Sequence, residues 1–289
     1  MTAPGFTGGL LDRADRLGHD PAALAEAMRD PRARLLALGP GYQPEVSEDG
    51  RLRWTGLPDP AAEAGLVLLG LEDGSPRFAA ITGEPGGAPF RSPGLLAALD
   101  VMRAGEAATW AAARSVLDWH ARHRFCANCA APTAPFRAGW GRLCPDCRAE
   151  HFPRTDPVVI MLAEHDGRAL LGRQASWPAE RYSALAGFLE PGESIEEAVA
   201  RELWEEAGVR AGAVRYVASQ PWPFPSQLMI ACIAEAADDA LTLDANELEA
   251  AIWVSRDEVR AALAGEGGPF TAPPRYAIAH TLLREWAGG

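Results

Sequence analysis

Long apolar runs and an export signal are missing from this sequence. No stretch approaches the roughly 18 uninterrupted apolar residues of a membrane span. Residues 1–20 lack the basic start and apolar centre of a signal peptide, and the C-terminus shows no targeting tripeptide. We therefore expect a cytoplasmic protein without a membrane partner, in a compartment where thiols stay reduced.

Basic residues are scarce relative to acidic ones. The 289 residues include 27 basic and 39 acidic side chains, for a formal net charge of −12. A surface this acidic does not suit a DNA-binding protein or one held on anionic lipid. It suits a protein that concentrates carboxylates around cations. The length allows two or three domains.

Cysteine is also rare, but four of the five cysteines form two pairs. Cys126 and Cys129 are separated by two residues, as are Cys144 and Cys147, and fourteen residues lie between the pairs. Two such turns form a tetrahedral four-sulfur site, which Zn²⁺ favours. Disulfides or packed thiols are the alternative. A site of four thiolates leaves no position for water, so the predicted zinc is structural. Cys232 is predicted to be a core residue.

The sequence divides into three predicted domains. Residues 1–118 form an α+β region without a chemical motif, interpreted as a scaffold or dimerisation domain. Its strands at 65–71 and 77–81 flank a hairpin turn, and helices follow at 93–103 and 106–120. Residues 119–155 form the four-cysteine ribbon.

Residues 156–289 are predicted to form an α+β or α/β/α sandwich. Apolar strands are expected at 158–163, 169–172, 228–234 and 253–254. Ser255 and Glu258 form a capping box that opens a helix. A last helix is expected at 274–286, with a proline in its first turn.

An acidic helix is the most informative part of this third domain. Ser194 and Glu197 form a capping box, and Gly208 ends the helix. Ile195, Val199 and Leu203 recur at helical spacing, with Ala198 alongside, and define a buried stripe.

Three carboxylates lie on or beside that apolar stripe. At about 100° per residue, Glu202 and Glu206 fall within it and Glu205 lies at its edge. Partly buried like charges repel each other, the helix C-terminus disfavours anions, and Arg201 can neutralise only one of them. A divalent cation removes the conflict, and a set of oxygen ligands favours Mg²⁺ or Mn²⁺. For Glu196 and Glu197, near the start of the helix, an ordinary solvated acidic face is the better interpretation.

Residues 187–209 match, position for position, the motif of the Nudix hydrolases: Gly, five residues, Glu, seven residues, then Arg-Glu-aliphatic-x-Glu-Glu-x-Gly-aliphatic. This resemblance implies an α/β/α sandwich that hydrolyses a nucleoside diphosphate linked to another group. It also implies that Glu202, Glu205 and Glu206 bind Mg²⁺, that Glu193 braces Arg201, and that Glu206 is the general base.

A proline-rich segment follows ten residues later. Its three prolines alternate with aromatic residues, which predicts an extended segment that displays Trp222 and Phe224. The rings can stack on a base or pack in the core, and the residues alone leave both open.

The segment resembles the signature of NADH pyrophosphatases, a Nudix family that also carries a four-cysteine zinc ribbon after an N-terminal domain. The sequence departs from the signature at Gln227, where the family has serine, while Ser226 precedes it. The resemblance implies a fourth metal ligand, Glu247; its alternative is a solvated acid. The implied substrate-binding residues are Phe152, Ala186, Phe188, Gln220, Pro221, Trp222, Pro223, Phe224, Pro225, Ser226, Gln227 and Ala279.

The resemblance implies an enzyme that cleaves NADH, and more weakly NAD⁺, to a nicotinamide mononucleotide and AMP, and that acts as a homodimer. It also implies removal of NAD caps from RNA 5′ ends. Arginines around the ribbon favour RNA binding, although the net charge opposes it: Arg122, Arg124, Arg137, Arg142, Arg148 and Arg154. Two alternatives are a Nudix hydrolase that prefers ADP-ribose or another dinucleotide, and a non-catalytic module that senses a nucleotide.

Overall fold

A computed structural model describes residues 4–57, 65–82 and 92–288 of the chain. The helices are α1 (Asp15–His19), α2 (Pro21–Arg29), α3 (Pro93–Val101), α4 (Ala104–Arg122), α5 (Ile195–Ala207), α6 (Arg256–Ala264) and α7 (Ile278–Gly288). Within these ranges no helix is both long and apolar enough to cross a bilayer.

The first strands are β1 (Arg34–Leu36), β2 (Leu38–Gly39), β3 (Gln43–Pro44), β4 (Trp54–Gly56), β5 (Leu66–Glu72), β6 (Ser75–Ala80), β7 (Ala134–Phe136), β8 (Gly141–Leu143) and β9 (Glu150–His151). The later strands are β10 (Asp156–His165), β11 (Arg168–Arg173), β12 (Leu185–Phe188), β13 (Ala211–Trp222), β14 (Gln227–Ala236) and β15 (Ala250–Ser255).

The chain forms two compact units, each built from more than one segment. One comprises Phe6–Thr155 and Trp222–Ser226, and the other comprises residues 1–5, Asp156–Pro221 and Gln227–Gly289. The ribbon therefore shares a unit with the N-terminal strands, whereas the sequence predicts separate domains for them. The three-domain division stays a prediction.

Hydrogen bonds to β5 and to helix α4 attach the strands of the ribbon to the N-terminal elements of its unit. The indole N–H of Trp140 donates to the carbonyl of Leu68 at 2.8 Å. His120 is fully buried: Arg142 donates to its Nδ1 at 3.0 Å, so its Nε2–H donates to the carbonyl of Gly139 at 2.7 Å. Burial, with the charge of Arg142, lowers the pKa of His120 to about 4, which keeps the ring neutral.

The N-terminal hairpin and helices of this unit confirm the sequence pattern. β5 and β6 pair antiparallel in a sheet of order β4-β1-β6-β5. The turn between them places Asp73 at φ 47° and Gly74 at φ 72°, as a two-residue hairpin loop requires. The residues 93–101 and 104–122 are helical, close to the predicted ranges.

The second unit is an α/β/α sandwich, as the sequence predicts. Its sheet has the order β13-β14-β10-β11-β15, with β12 also paired to β10. Side chains alternate along β10: Val159 and Met161 face α5, whereas Ile160 and Leu162 face α6 and α7. Both faces of the sheet are therefore covered, which explains why β10 is a continuous apolar run rather than an alternating one.

The last helix begins later than predicted. α7 starts at Ile278, so Pro274 precedes it and the expectation of a proline in its first turn is wrong. The side-chain oxygen of Gln220 accepts the backbone N–H of Ile278 at 2.8 Å. This bond satisfies a donor that a helix start leaves without an intrahelical partner, and it fixes the first residue of α7.

Candidate active site

Helix α5 carries the acidic motif and packs against the sheet by its apolar stripe. Ser194 and Glu197 form the predicted capping box, and Gly208 ends the helix at φ 68°. Ala198, Val199 and Leu203 are fully buried, and Ile195 packs beside them. The predicted start, end and buried face are therefore confirmed, and they fix the direction of each glutamate.

The three glutamates differ in burial as the helical geometry predicts. Glu206 is buried at 8% exposure, while the side chain of Glu202 is 14% exposed and that of Glu205 is 56% exposed. Burial, with the charges of Glu202 and Glu247, raises the pKa of Glu206 to about 8. Burial also raises the pKa of Glu202, although Arg201 opposes that shift. These carboxyl groups therefore resist ionisation in the absence of a cation.

Glu247 reaches this group of carboxylates through the loop before β15. The backbone N–H of Thr242 donates to the carbonyl of Ala207 at 2.9 Å, and that of Asp244 donates to the carbonyl of Glu206 at 3.0 Å. These bonds satisfy carbonyls at the end of α5 and attach the loop there. The negative charge of Glu247 raises the pKa of both Glu202 and Glu206, so it lies close enough to act on both.

Arg201 holds more of the acidic motif than the sequence predicts. Its guanidinium donates to both carboxylate oxygens of Glu193, at 2.6 and 2.9 Å, and also to Glu202 at 2.8 Å and Glu205 at 3.0 Å. One guanidinium carries a single positive charge, so Arg201 bonds two helix carboxylates although it can offset the charge of only one of them. A forked cation with several donors can serve several acceptors at once. Arg201 lowers the pKa of Glu193 to about 2, and the brace between these two residues has the predicted form.

Replacing Arg201 by lysine tests this brace. Lysine offers a point charge and cannot span both oxygens of Glu193 while also reaching Glu202, so we expect the hydrolysis that the motif's resemblance implies to slow by at least about tenfold. The exposed substitution Arg215→Lys on β13 is the matched control. Steady-state kinetics with Mg²⁺ measure the difference. Equal activity of the two variants would contradict the bracing role assigned to Arg201.

The glycine that begins the motif is required by close packing. A Cβ atom on Gly187 would lie 1.9 Å from the carboxyl carbon of Glu202. Real Cβ atoms do not approach other heavy atoms so closely, so only glycine leaves the Glu202 carboxylate in this position. Gly187 pairs with Val159 of β10, so the strand cannot move aside easily.

Gly187→Ala is expected to displace the Glu202 carboxylate and to lower the rate of the implied hydrolysis about a hundredfold or more. The reason is that a misplaced cation ligand no longer stabilises the transition state. Gly212→Ala on β13 is the control, since its nearest neighbour would lie at an ordinary 3.6 Å. Kinetics and melting temperature are measured together. Full activity in Gly187→Ala would contradict the assigned position of Glu202.

The carboxylates are less closely gathered than the cysteines. In the described ranges, the group whose ligand atoms all lie within 4.8 Å of one another is Cys126, Cys129, Cys144 and Cys147. Like charges repel, and Arg201 bonds Glu202 and Glu205. The donor set nevertheless fits a hard cation: it consists of oxygens, and no basic side chain of the described residues pairs with Glu206.

The four cysteine sulfurs fit zinc. Sγ of Cys126 lies 3.5 Å from that of Cys147, and Cys129 and Cys144 are also 3.5 Å apart. Zn–S bonds of about 2.3 Å in a tetrahedron place sulfurs about 3.8 Å apart. The two pairs form equivalent turns, each closed by a left-handed residue, Ala130 or Arg148. Cys232 is buried in β14 and lies outside this group, as predicted.

Several predicted substrate residues are exposed in their own units. Ala186 and Phe188 alternate along β12 and both face solvent, with the Phe188 ring 54% exposed. Phe152, in the other unit, is 49% exposed and lies 6.0 Å from the ring of Phe136. These positions leave aromatic faces available for stacking.

Other predicted substrate residues have structural partners instead. Gln220 is fully buried, and its amide bonds the carbonyls of Gly5 and Tyr276 as well as the N–H of Ile278. This differs from the prediction of a substrate contact. Ala279 is buried in the first turn of α7. The sequence does not reveal this capping role, because the residues around a glutamine do not indicate whether its amide bonds a ligand or the backbone.

The proline-rich segment is extended up to Trp222, the end of β13, and then forms a tight turn, so the prediction of an extended segment is wrong for residues 223–226. Residues 223–226 connect β13 to β14, and the N–H of Phe224 donates to the carbonyl of Trp222 at 2.9 Å. Arg114 donates to the carbonyl of Pro223, and Ser115 donates to that of Pro225. Side chains of α4 therefore shape the turn.

The two rings of the turn have different environments. Phe224 is buried at 5% exposure and packs against Phe6 and Trp110. Of the two alternatives left open by the sequence, base stacking and core packing, this ring therefore adopts core packing. Trp222 is half-buried and meets Phe6 and Phe224 edge to face. Pro221 and Pro225 are exposed, Pro223 is buried, and Ser226 and Gln227 are half-buried. Trp222 thus keeps a partly exposed ring.

Comparison with known families agrees with this geometry. A family described as NUDIX domain matches residues 153–273, and one described as NADH pyrophosphatase zinc ribbon domain matches residues 121–152. The chain therefore contains a Nudix domain. The Nudix domain contains the whole acidic motif and Glu247, and the ribbon contains the four cysteines. The predicted Nudix domain and zinc ribbon are therefore confirmed, and the roles of the individual glutamates stay predictions.

Curated relatives of this Nudix protein include human NAD-capped RNA hydrolase NUDT12, with 41% identity over 257 residues, 85% of this chain and 52% of the relative. NAD-capped RNA hydrolase NudC of Mycobacterium bovis is 46% identical over 184 residues, 61% of this chain and 58% of the relative. Human mitochondrial NAD(P)H pyrophosphatase NUDT13 is 42% identical over 201 residues, covering 65% and 57%. The chain spans about half the length of these relatives.

Among solved structures, a NUDIX hydrolase from Nitrosomonas europaea matches 57% of this chain and 90% of its own, with 21% identity and a TM-score of 0.46.

Proposed function

We propose that this Nudix protein hydrolyses the pyrophosphate bond of NADH, and more weakly of NAD⁺, to a nicotinamide mononucleotide and AMP. The observation that carries the proposal is the buried carboxyl of Glu206, next to Glu202 and Glu247 and without a basic partner in the described residues. The zinc ribbon and the names of the relatives support the dinucleotide substrate.

The chain's own residues supply the ligands and the base. Glu202, Glu205, Glu206 and Glu247 would hold Mg²⁺ or Mn²⁺. A divalent cation bound there supplies positive charge to phosphate oxygens and makes a water molecule more acidic. Glu206 accepts a proton at its carboxylate as the oxygen of water attacks phosphorus. The bond from phosphorus to the bridging oxygen breaks, and the leaving phosphate takes the electron pair.

The other site residues position these groups. Arg201 holds Glu202 and Glu205 through the 2.8 and 3.0 Å bonds, and Glu193 holds Arg201. The exposed rings of Phe188 and Phe152, and the half-buried ring of Trp222, are the proposed stacking surfaces for nicotinamide or adenine. Gln227 offers an amide where the signature has a hydroxyl, so we propose a changed polar contact there.

Comparison of substrates tests the proposal. The zinc-loaded protein is assayed with Mg²⁺ or Mn²⁺ against NADH, NAD⁺ and ADP-ribose, and hydrolysis in ¹⁸O-labelled water shows which product takes up the oxygen. We expect NADH to be preferred by kcat/KM. A clear preference for ADP-ribose would favour the alternative dinucleotide substrate, and absence of turnover would favour the non-catalytic nucleotide sensor.

A second candidate substrate is RNA with a 5′ NAD cap. Two of the relatives are named NAD-capped RNA hydrolases. The arginines around the ribbon give limited support, since Arg142 is buried and Arg122 pairs with Asp118 at 2.7 Å. Mass spectrometry of a short NAD-capped RNA before and after incubation tests this activity, with the triphosphate RNA as control. Release of nicotinamide mononucleotide is expected.

Location and assembly stay predictions. We propose that the protein works in the cytoplasm, where a four-thiolate site remains reduced, and that it acts as a homodimer. Sedimentation equilibrium measures the mass of the assembly directly, and a mass of 30.8 kDa for the active species would contradict the dimer.

A further inference from the structure

A cavity of about 280 Å³ lies within the unit formed by Phe6–Thr155. Its walls come from the segment around α1 and from the short turn between β7 and β8 of the ribbon. None of the residues assigned above to hydrolysis or to zinc lines it. The chemistry of its walls therefore indicates a separate role.

Two arginines line this cavity and have aromatic rather than acidic partners. The guanidinium carbon of Arg13 lies 5.1 Å from the ring centre of Trp140, and that of Arg137 lies 5.3 Å from the ring centre of Phe152. In the described ranges neither guanidinium forms an ion pair or hydrogen bond with a carboxylate. Ring contacts hold an arginine in place while leaving its N–H donors for a ligand.

The balance of charge in the cavity favours an anion. Asp15 is its acidic lining residue, and His19 lies 3.6 Å from that carboxylate on the same helix. Arg13 and Arg137 therefore leave a positive surplus, in a chain whose formal net charge is −12. A local field of this sign attracts negatively charged ligands.

The remaining walls offer a flat surface held by an unusual backbone. The indole N–H of Trp140 is bonded to Leu68, so the ligand can meet only its ring or the guanidinium above it. Ala14, Arg137 and Ala138 line the cavity with φ of 50–52°, a region that favours glycine. Such backbone conformations concentrate at ligand sites.

We propose that this cavity binds a mononucleotide, with the phosphate on Arg13 and Arg137 and the base stacked on the Arg13–Trp140 pair. Arginine forks bind phosphate by charge-assisted hydrogen bonds, and bases stack on guanidinium planes and aromatic rings. The volume lies just below the range of small-molecule sites, about 300–1,000 Å³, which suits one base rather than a dinucleotide.

The site has a consequence for the proposed reaction, and this step rests on the proposed function. Arg137 contacts both the cavity and Phe152, a proposed stacking residue. A mononucleotide that binds the Arg137 guanidinium changes the contact between that guanidinium and the Phe152 ring. The AMP released by hydrolysis is of the right chemical class, so the cavity is a site for product to act on the enzyme.

Calorimetric titration with AMP tests the binding. The zinc-loaded protein without Mg²⁺ is compared with the double variant Arg13→Gln/Arg137→Gln and with Arg16→Gln, an exposed arginine of α1 outside the cavity. We expect saturable binding that weakens at least about tenfold in the double variant and is unchanged in Arg16→Gln. The single variants Arg13→Gln and Arg137→Gln replace the double variant if its melting temperature falls.

Ligand analogues check the assigned chemistry. Adenosine should bind much more weakly than AMP, and inorganic phosphate should compete with AMP. Identical isotherms in all the proteins, no saturable binding, or equal affinity for adenosine and AMP would each overturn the proposal. Because no turnover is needed, the same titration in Glu206→Gln gives an answer even if the proposed hydrolysis fails.

Discussion

Glu206→Gln is expected to lower the rate of dinucleotide hydrolysis by about a thousandfold or more, and to stabilise the metal-free protein at alkaline pH. The loss of rate follows because the substitution removes both a cation ligand and the proposed proton acceptor, contributions of roughly a hundredfold or more each. The amide has nearly the same shape as the carboxyl group, so the buried end of α5 keeps its packing.

The gain in stability follows from the raised pKa of Glu206. Its carboxyl has a pKa of about 8 in the folded protein against 4.5 as the ordinary value, so the folded state binds the proton more tightly. Its contribution to stability is fully present below pH 4.5 and is lost as the pH rises through 8. At pH 9 the native chain thus carries a penalty on the order of 5 kcal/mol that glutamine does not.

Melting temperatures of the two proteins from pH 5 to pH 9, without divalent cation, measure this difference. Mg²⁺ should reduce this difference in melting temperature, because it stabilises the native protein. Glu196→Gln is the control, because Glu196 lies exposed in the first turn of α5 and should change neither rate nor pH dependence. Parallel melting curves for Glu206→Gln and the native chain would contradict the buried ionisation.

Removal of zinc is expected to unfold the ribbon and much of its unit. Cys126 and Cys144 are buried, and metal binding at structural zinc sites contributes on the order of 10 kcal/mol or more to folding. Trp140, Gly139 and Arg142 of the ribbon bond the rest of the unit, so its collapse also removes those contacts. Cys126→Ala should behave like the chelated protein.

Zinc content, near-ultraviolet circular dichroism and melting temperature are measured together. Cys232→Ala is the control, since that buried thiol lies in β14 and its loss should leave the zinc in place at a cost of about 1 kcal/mol. A zinc-free protein with an unchanged melting temperature and no activity would assign the zinc to catalysis instead.

The sequence predicts the acidic helix almost completely, because its signals are local. The capping box at Ser194, the apolar spacing from Ile195 and the glycine at 208 each act within one or two turns of helix. The burial of Glu206 relative to Glu205 follows from the same geometry. Zinc spacing is likewise local, since each pair of cysteines occupies one turn.

Long-range partners explain what the sequence does not predict. Gln220 bonds residues 56 to 215 positions away, and no pattern near it indicates whether it contacts a ligand or the start of α7. Phe224 turns inward because the rings of Phe6 and Trp110 pack against it. The hydrogen bonds of Arg201 to Glu202 and Glu205 depend on side-chain conformations, which helical spacing alone does not determine.

Each compact unit contains segments that are not consecutive in the sequence, which limits how the protein can be shortened. Trp222–Ser226 packs with the N-terminal unit, although the strands on either side of it belong to the other one. A fragment starting at Asp156 would retain every glutamate of the motif and yet carry the Phe224 ring without Phe6, Trp110 and Arg114. Such a fragment gains an apolar surface that the full chain covers. A shortened chain that keeps the Phe224 ring covered therefore has to include α4, however far that helix lies from the motif in the sequence.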